Sequence, residues 1–263
     1  MDLGLKGKVA LVSAASKGLG KAAALALAAE GAHVAICARH ETELRAAAEE
    51  IRSATGADVL AIPADVTRAD DIQRFVDAAA EHFGRIDILV TNAGGPPSGT
   101  FDMFSDADWQ AAFNLTLLSV VRLIRAALPH LRRAGGGRIV NITSSSVKQP
   151  IEGLLFSNTL RPGIIGLAKT LSLELAKDNI LINNVAPGYH DTDRVKELDA
   201  ARAAREGRTP AEVARETIKS IPLGRRGEPA ELAALIVFLC SRHAAFMTGV
   251  TIQVDGGAQK GLF

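Results

Sequence analysis

The chain has 263 residues, a formal net charge of +1 and two cysteines. The small net charge predicts no surface for nucleic acid or an anionic membrane. Cys37 and Cys240 lie in apolar runs, which predicts buried free thiols rather than a disulfide or a metal pair. The sequence predicts no signal core near the N-terminus and no apolar run long enough to span a bilayer, so a cytoplasmic protein is expected.

Strand and helix patterns alternate from the N-terminus onward. The apolar run Val9–Val12 is followed by a turn of small residues at 13–20, a helix rich in alanine and leucine, and a second apolar run, His33–Ala38. Such a turn brings the unpaired N–H groups of a helix N-terminus to a point where they can hold a phosphate. The later strands are predicted at 58–63, 86–91, 138–143, 180–185 and 250–254, and the later helices at 68–83, 106–133, 153–177 and 229–241.

The alternation predicts an α/β fold, namely a single Rossmann-type doubly wound parallel sheet with helices on both faces. The strand runs are continuously apolar, as is typical of strands covered on both faces. No linker divides the chain, so residues 1–263 are expected to form one dinucleotide-binding domain. A charged region at about 190–228, broken by Pro210 and Pro222, predicts a small helical lid over the strand ends.

Several short motifs follow the predicted strands. They read SAASKGLG at 13–20, NAG at 92–94, GRIVNITS ending at Ser144, PG at 187–188 followed by Thr192, and VDGG at 254–257. In this order and spacing they resemble the motifs of the short-chain dehydrogenase/reductase family, and the β-ketoacyl-carrier-protein reductases in particular. The resemblance covers nearly the whole chain.

The resemblance, together with the turn at 13–20, implies a cofactor site and a catalytic set, and it implies no metal. The implied cofactor-binding residues are Ser13, Ala15, Ser16, Lys17, Gly18, Leu19, Gly20, Arg39, Asp65, Val66, Asn92, Ala93, Gly94, Pro187, Gly188 and Thr192. The implied catalytic positions are Asn114, Ser144, Ser157 and Arg161. The resemblance also implies a homotetramer or homodimer formed through the helices at 106–133 and 153–177.

The residues after the second strand indicate which dinucleotide binds. An NAD enzyme usually has an acid there for the ribose hydroxyls, whereas this chain has Ala38 and then Arg39. Arg39 and Lys17 would attract a 2′-phosphate, which predicts NADP(H) rather than NAD(H). Ala14 occupies the place of the first family glycine, and a positive φ there would cost roughly 1 kcal/mol.

The family's Y-x-x-x-K motif is missing. Counting from Ser144 places the tyrosine position on Ser157 and the lysine position on Arg161, and a shift of one residue gives Phe156. The only tyrosine in the chain is Tyr189. The family's phenol acts as a general acid, and the loss of such a group typically costs ~10²–10⁴ in rate. Arg161 keeps the positive charge but donates protons poorly.

Three hypotheses are consistent with this departure. In the first, the protein is an NADP(H)-dependent carbonyl or 3-oxoacyl reductase in which Tyr189, His190 or Lys148 supplies the proton, directly or through water. In the second, it binds the dinucleotide without turnover, as a sensor or interaction protein. In the third, it uses the bound cofactor for a non-redox reaction such as epimerisation or elimination.

No motif identifies the substrate beyond a carbonyl or alcohol. The predicted lid carries seven arginines between positions 194 and 226. They would attract an acidic substrate, but glutamates at 197, 206, 212, 216 and 228 favour a solvated surface on which the charges pair with each other.

Overall fold

The computed structural model describes residues 1–261. Its strands are β1 (Val9–Val12), β2 (His33–Ala38), β3 (Val59–Pro63), β4 (Ile88–Thr91), β5 (Gly137–Ile142), β6 (Ile180–Pro187) and β7 (Thr251–Val254). Its α-helices are α1 (Gly18–Ala29), α2 (Glu41–Thr55), α3 (Ala69–Phe83), α4 (Asp106–Phe113), α5 (Ser119–Arg133), α6 (Leu155–Leu175), α7 (Asp193–Glu206), α8 (Pro210–Ser220) and α9 (Pro229–Cys240).

Within residues 1–261, the seven strands form one parallel sheet in the order β3-β2-β1-β4-β5-β6-β7. The order reverses between β1 and β4, because the chain runs outward from β1 to β3 and then returns to the other side of β1. In such sheets ligands bind beyond the carboxyl ends of the strands at this reversal. The topology therefore predicts a binding crevice between the ends of β1 and β4.

Helices cover both faces of the sheet, as the strand patterns predict. Helices α1, α2 and α9 pack on one face, where Leu27, Ile51 and Ile236 are fully buried. Helices α3, α5 and α6 pack on the other, around Phe75 and Leu123. Burial on both sides explains why the strands are continuously apolar, and the predicted doubly wound fold is confirmed.

Most predicted elements lie within two residues of their expected bounds, but helix α2 was not predicted. Its apolar residues do carry a helical signal, since Leu44, Ala47, Ala48 and Ile51 are buried and share one face. Charged and small residues fill the remaining positions, so the segment has little overall hydrophobicity and its narrow apolar stripe escapes a search for apolar runs.

The predicted helix at 106–133 is two α-helices joined by a π-helical segment, Asn114–Leu118. By length and composition alone, Asp106–Arg133 is apolar enough to cross a membrane, which corrects the expectation of no such segment. Its apolar side is nevertheless occupied, because Leu123, Ala127 and Leu131 are buried in the core beside the sheet. A helix packed in the core of an α/β fold meets the same criterion of length and apolar composition.

Two helices, α7 and α8, occupy the region predicted as a helical lid. Thr209 and Glu212 form a capping box at the start of α8, where Pro210 takes a position that needs no N–H donor. Arg202 of α7 pairs with Glu216 of α8 at 2.7 Å. The sequence-based expectation of self-paired surface charges thus holds for this pair.

A chain of polar side chains crosses the buried centre of the sheet. The Thr91 hydroxyl donates to the side-chain oxygen of Asn141 (2.7 Å), and the side-chain amide of Asn141 donates to the side-chain oxygen of Asn184 (2.9 Å). Asn184 in turn donates to the Thr251 hydroxyl at 3.1 Å. These bonds join β4, β5, β6 and β7, and a slip of one strand by a single residue would break them.

We predict that Asn141→Leu lowers the free energy of unfolding by at least about 2 kcal/mol, because it leaves buried polar atoms of Thr91 and Asn184 without partners. Urea denaturation measures this loss. The control is Gln73→Leu, the same type of change on the exposed side of α3, which should alter stability by no more than about 0.5 kcal/mol. Equal effects of the two substitutions would contradict a structural role for the polar chain.

Candidate active site

A cleft of about 480 Å³ lies at the carboxyl ends of β1, β2, β4, β5 and β6. Its walls come from the turn after β1, the segments that follow the other strands, one face of α6 and the first turn of α7. This volume is typical of a site for a small molecule or cofactor. The cleft occupies the position that the strand order predicts.

The turn after β1 is held in a strained conformation. Ala14 has φ 49°, in the left-handed region that favours glycine. The Ala14 carbonyl accepts a hydrogen bond from the Asn92 side-chain amide at 3.1 Å, and the Ala15 N–H donates to the Cys37 carbonyl at 3.0 Å. These bonds fix the turn against β2 and β4. The positive φ anticipated from the sequence is therefore present, with alanine in place of glycine.

The ends of β1 and β4 are tied together through one serine. The Ser13 hydroxyl donates to the Asn92 carbonyl (2.7 Å) and accepts from the Asn92 N–H (2.8 Å). Ser13 is fully buried. The serine thus satisfies both backbone groups of Asn92 where the two strands diverge.

Gly20 allows the first turn of α1 to pack closely against Ala14 and Asn92. A Cβ at Gly20 would lie 2.5 Å from the Ala14 carbonyl oxygen and 2.8 Å from the Asn92 side-chain nitrogen. Helix α1 begins after Lys17, which makes no side-chain cap, so the first N–H groups of the helix are free to bind a ligand. With Gly18 lining the cleft beside them, these groups fit the pyrophosphate of a dinucleotide.

The outer end of the cleft carries positive side chains. Arg39, directly after β2, is exposed and lines the cleft. The Lys17 ammonium lies 4.0 Å from Asp193, and both side chains are largely exposed. Asp65 lines the same end, but its carboxylate accepts from the N–H and hydroxyl of Thr67 at 2.9 and 2.8 Å. The donors at this end fit the 2′-phosphate of NADP(H).

Two serine hydroxyls meet at the inner wall of the cleft. Ser157 of α6 is 7% exposed, and its Oγ lies 2.9 Å from the Oγ of Ser146. Ser144 lines the cleft at the start of the same loop, where its hydroxyl accepts from the Ser146 N–H at 3.1 Å. Phe156 is fully buried against Phe104, so the neighbouring residue Ser157 is the one that faces the cleft.

Arg161 lies one helical turn after Ser157, on the same side of α6. Its Nη1 donates to the carbonyls of Ile142 (3.2 Å) and Thr143 (2.9 Å), at the end of β5. Burial, with repulsion from Arg194, lowers the pKa of the Arg161 guanidinium to about 10. The side chain therefore remains charged at neutral pH, and it holds α6 against the sheet.

The alternative proton donors suggested by the sequence have different surroundings. Tyr189 and His190 both line the cleft. Burial raises the pKa of the Tyr189 phenol, which makes it a weaker acid. His190 is 2% exposed, with Nδ1 3.3 Å from the Gly188 carbonyl, and burial lowers its pKa. Lys148 is exposed and does not line the cleft.

Most of the sequence-predicted site residues come together in this cleft. The cofactor residues that line it are Ser16, Lys17, Gly18, Leu19, Arg39, Asp65, Val66, Asn92, Ala93, Gly94, Pro187, Gly188 and Thr192, and the catalytic ones are Ser144, Ser157 and Arg161. Ser13, Ala15 and Gly20 lie behind the wall and shape the turn. Asn114 does not line the cleft, and its side-chain oxygen accepts from Gln110 at 3.2 Å.

Two further residues belong to the site. Ser146 contacts Ser157 from behind the cleft wall, and the sequence did not predict it; its place in a run of three serines after a strand was the available signal. Arg194 also lines the cleft, whereas the sequence suggested only a surface arginine of the lid. Its position two residues after Thr192 was the signal that could have distinguished it from the other arginines.

Comparisons with known proteins agree with this geometry. A family model described as enoyl-(acyl carrier protein) reductase matches residues 13–259. The chain is 36% identical over 255 residues to a 3-oxoacyl-[acyl-carrier-protein] reductase of Synechocystis sp., covering 96% of this chain and 97% of that protein. It is 34% identical to dehydrogenase/reductase SDR family member 4 of Oryctolagus cuniculus, covering 98% of this chain and 96% of that protein.

A solved structure is similar over its full length. The L-sorbose reductase of Gluconobacter frateurii, complexed with NADPH and L-sorbose, has a TM-score of 0.94 and 33% sequence identity, with 100% of both chains covered.

We predict opposite effects for two glycine-to-alanine changes in helices. Gly20→Ala forces the Ala14 carbonyl and the Asn92 amide apart, which should destabilise the protein by at least about 1 kcal/mol and weaken dinucleotide binding. In Gly166→Ala, nothing lies within 4 Å of the added methyl group, so it should stabilise α6 by about 0.5–1 kcal/mol. Urea denaturation measures stability and NADPH titration measures binding. If Gly20→Ala left the free energy of unfolding unchanged, the described packing would be contradicted.

We also predict that His190 makes the protein less stable in acid. Because burial lowers its pKa, the folded state binds fewer protons than the unfolded state below the ordinary pKa of about 6.5. Stability contributed by neutral His190 is present above that pH and is lost as the pH falls. The free energy of unfolding should therefore decrease less between neutral and mildly acidic pH in His190→Gln than in the wild type. The exposed His243→Gln control should keep the wild-type slope, and a parallel slope for His190→Gln would refute the role of His190.

Proposed function

The chain belongs to the short-chain dehydrogenase/reductase family, and on that premise we propose that it is an NADP(H)-dependent oxidoreductase that reduces a carbonyl group. Within the family we assign it to a β-ketoacyl-carrier-protein-reductase-like subgroup in which Ser157 and Arg161 replace the tyrosine and lysine. The observation that carries the proposal is that Ser157, whose hydroxyl contacts that of the buried Ser146, lines the same cleft as the dinucleotide-type turn.

The cleft supports NADP(H) as the cofactor through complementary groups at its two ends. The N-terminus of α1 would hold the pyrophosphate, and Arg39 and Lys17 would bind the 2′-phosphate. Thr192, whose Cγ2 would lie 3.6 Å from a Cβ at Gly18, closes the turn from the opposite side. When bound, the cofactor supplies the hydride for carbonyl reduction.

Ser157 is our candidate for the group that donates a proton to the carbonyl oxygen. Its hydroxyl contacts that of Ser146, and because Ser157 lines the cleft, a proton that it gives up can be replaced from solvent water entering the cleft. The charge of Arg161, one turn away, lowers the cost of negative charge on the Ser157 oxygen. Burial makes Tyr189 a weaker acid than an ordinary phenol and shifts His190 towards its neutral form, so neither is activated as a proton donor at neutral pH. Ser157 is favoured by its position in the cleft beside Arg161 and not by its acidity.

Ser144 and Asn114 complete the proposed catalytic set. Ser144 faces the cleft with its hydroxyl hydrogen free to donate to the carbonyl oxygen, since the oxygen already accepts from the Ser146 N–H. Asn114 begins the π-helical segment, and the Ser119 N–H donates to its carbonyl. π-Helical segments frequently occur at functional sites. We assign Asn114 a positioning role through this segment.

We further propose that residues 1–263 act as one domain in which α7 and α8 form the lid. Two contacts support the lid: Thr192 lies against Gly18, and the Arg194 guanidinium donates to the Pro96 carbonyl at 2.5 Å. An assembly of two or four copies through α4, α5 and α6 agrees with the exposure of Leu173, which is 76% exposed on α6.

We predict that the protein prefers NADPH to NADH and that Arg39→Ala removes the preference. The loss of one charge-assisted contact should weaken NADPH binding by about tenfold and leave NADH binding unchanged. Calorimetric titration with each cofactor measures both affinities. The control is Arg45→Ala, which removes an exposed arginine of α2 that pairs with Glu41. A wild-type protein that binds both cofactors equally would contradict the assignment.

We predict that Ser157→Ala lowers kcat by at least about 10² while the affinity for NADPH stays within about twofold. The control is Thr159→Ala, which removes an exposed hydroxyl from the same helix and should leave kcat unchanged. Steady-state kinetics over a panel of carbonyl compounds measures the rates. An unchanged kcat in Ser157→Ala would exclude it as the donor, and tight NADPH binding by the wild type without any turnover would favour a sensor or a non-redox enzyme.

A further inference from the structure

The inner part of the cleft carries two arginines with no buried counter-ion among residues 1–261. Among residues 1–261, Arg161 makes no ion pair with a carboxylate. Its Nε atom is buried without a hydrogen-bond partner. Its Nη1 donates only to backbone carbonyls. A partly buried cation that lacks an anionic partner is destabilising, because the lost hydration is not replaced by an opposite charge.

Arg194 brings a second positive charge to the same cleft from α7. Its Nη2 donates to the Pro96 carbonyl at 2.5 Å, and the nearest carboxylate oxygen, of Glu197, lies 3.6 Å away on a side chain that is 61% exposed. Burial lowers the pKa of Arg194, and Glu197 partly offsets that effect. The guanidinium also packs where a Cβ at Gly95 would clash with it, so this glycine makes room for the arginine.

The other arginines of the lid show how Arg194 differs. Arg202 and Arg208 each pair with both Glu206 and Glu216 at 2.5–2.7 Å. Their charges are thus balanced on the protein surface, as expected for a self-paired lid. Arg194 has a longer contact to an exposed acid and faces the cleft instead.

None of the three carboxylates that line the cleft forms an ion pair with Arg161 or Arg194. Asp65 accepts hydrogen bonds from Thr67, and Asp193 faces Lys17 at 4.0 Å. Glu43 belongs to the exposed side of α2, beside the second strand. Arg161 and Arg194 both line the cleft, and repulsion from Arg194 helps to lower the pKa of Arg161. An anion bound in the cleft would offset these positive charges.

We propose that the substrate is an oxo acid, whose carboxylate is bound by Arg194 while its carbonyl lies near Ser157. This inference rests on the proposed reductase function and narrows its substrate class. A carboxylate matches the planar donor geometry of a guanidinium. The hydroxyls of Ser144 and Ser157 line the same cleft and remain available for the carbonyl oxygen.

The binding test uses the complex with NADP⁺, in which no turnover takes place, and titrates it with malonate or with neutral malonamide by calorimetry. We expect malonate to bind at least about tenfold more tightly than malonamide and Arg194→Gln to abolish that difference. Arg194→Lys should retain part of it. The matched control is Arg215→Gln, which removes an exposed lid arginine outside the cleft and should change nothing.

The kinetic test compares oxo acids with their methyl esters, using 2-oxobutanoate and 4-oxopentanoate as the acids. We expect a KM at least about tenfold lower for the acids in the wild type and no preference in Arg194→Gln. Equal binding of malonate and malonamide by the wild type would overturn the proposal. The same would follow if Arg215→Gln lost the preference for malonate to the same extent as Arg194→Gln. A loss of NADP⁺ affinity in Arg194→Gln with malonate binding retained would overturn it too, because the arginine would then serve the cofactor's phosphates.

The two tests separate this inference from the proposed function. Charge-dependent binding of malonate does not need turnover, so it is measured even if no substrate is reduced. Reduction of esters and neutral ketones as fast as of acids would support the reductase and refute the oxo-acid assignment.

Discussion

The divergence of β1 and β4 is the constraint on which the rest of the site depends. Two neighbouring strands that part at a crossover leave backbone groups without sheet partners, and Ser13 satisfies those of Asn92 with two short bonds. Asn92 then fixes the Ala14 carbonyl, which holds Ala14 at a φ of 49°. Gly20 can pack against this arrangement only because it has no Cβ. The position of α1, and hence of its N-terminal N–H groups, follows from these contacts.

The same cleft differs chemically from the family pattern at its inner end. A phenol and an ammonium group are replaced by the hydroxyl of Ser157 and the guanidinium of Arg161. The change keeps a positive charge beside a hydroxyl, but it moves the hydroxyl closer to the helix and makes it less acidic. Arg194 adds a second cation to the same cleft. In our account the substrate's own charge takes part in organising this end of the cleft, since the protein offers no buried carboxylate to Arg161 within residues 1–261.

The sequence predicted the sheet well because parallel strands buried on both faces are continuous apolar runs that turn residues separate. It predicted α2 poorly because only Leu44, Ala47, Ala48 and Ile51 carry its apolar stripe. The cofactor end of the cleft was also predictable, since it consists of residues that directly follow strands. The environments of His190 and Arg194 were not, because burial and the absence of a counter-ion depend on contacts between segments distant in the chain.

The most direct test is whether the cofactor bound in this cleft reduces a carbonyl group. We would mix the protein, saturated with one equivalent of NADPH, with an oxo acid and follow the near-ultraviolet absorbance of the reduced nicotinamide in a single turnover. The account predicts that the absorbance disappears with an amplitude equal to the bound NADPH, at a rate that depends on Ser157. Stable absorbance with every carbonyl compound, although NADPH is tightly bound, would contradict it.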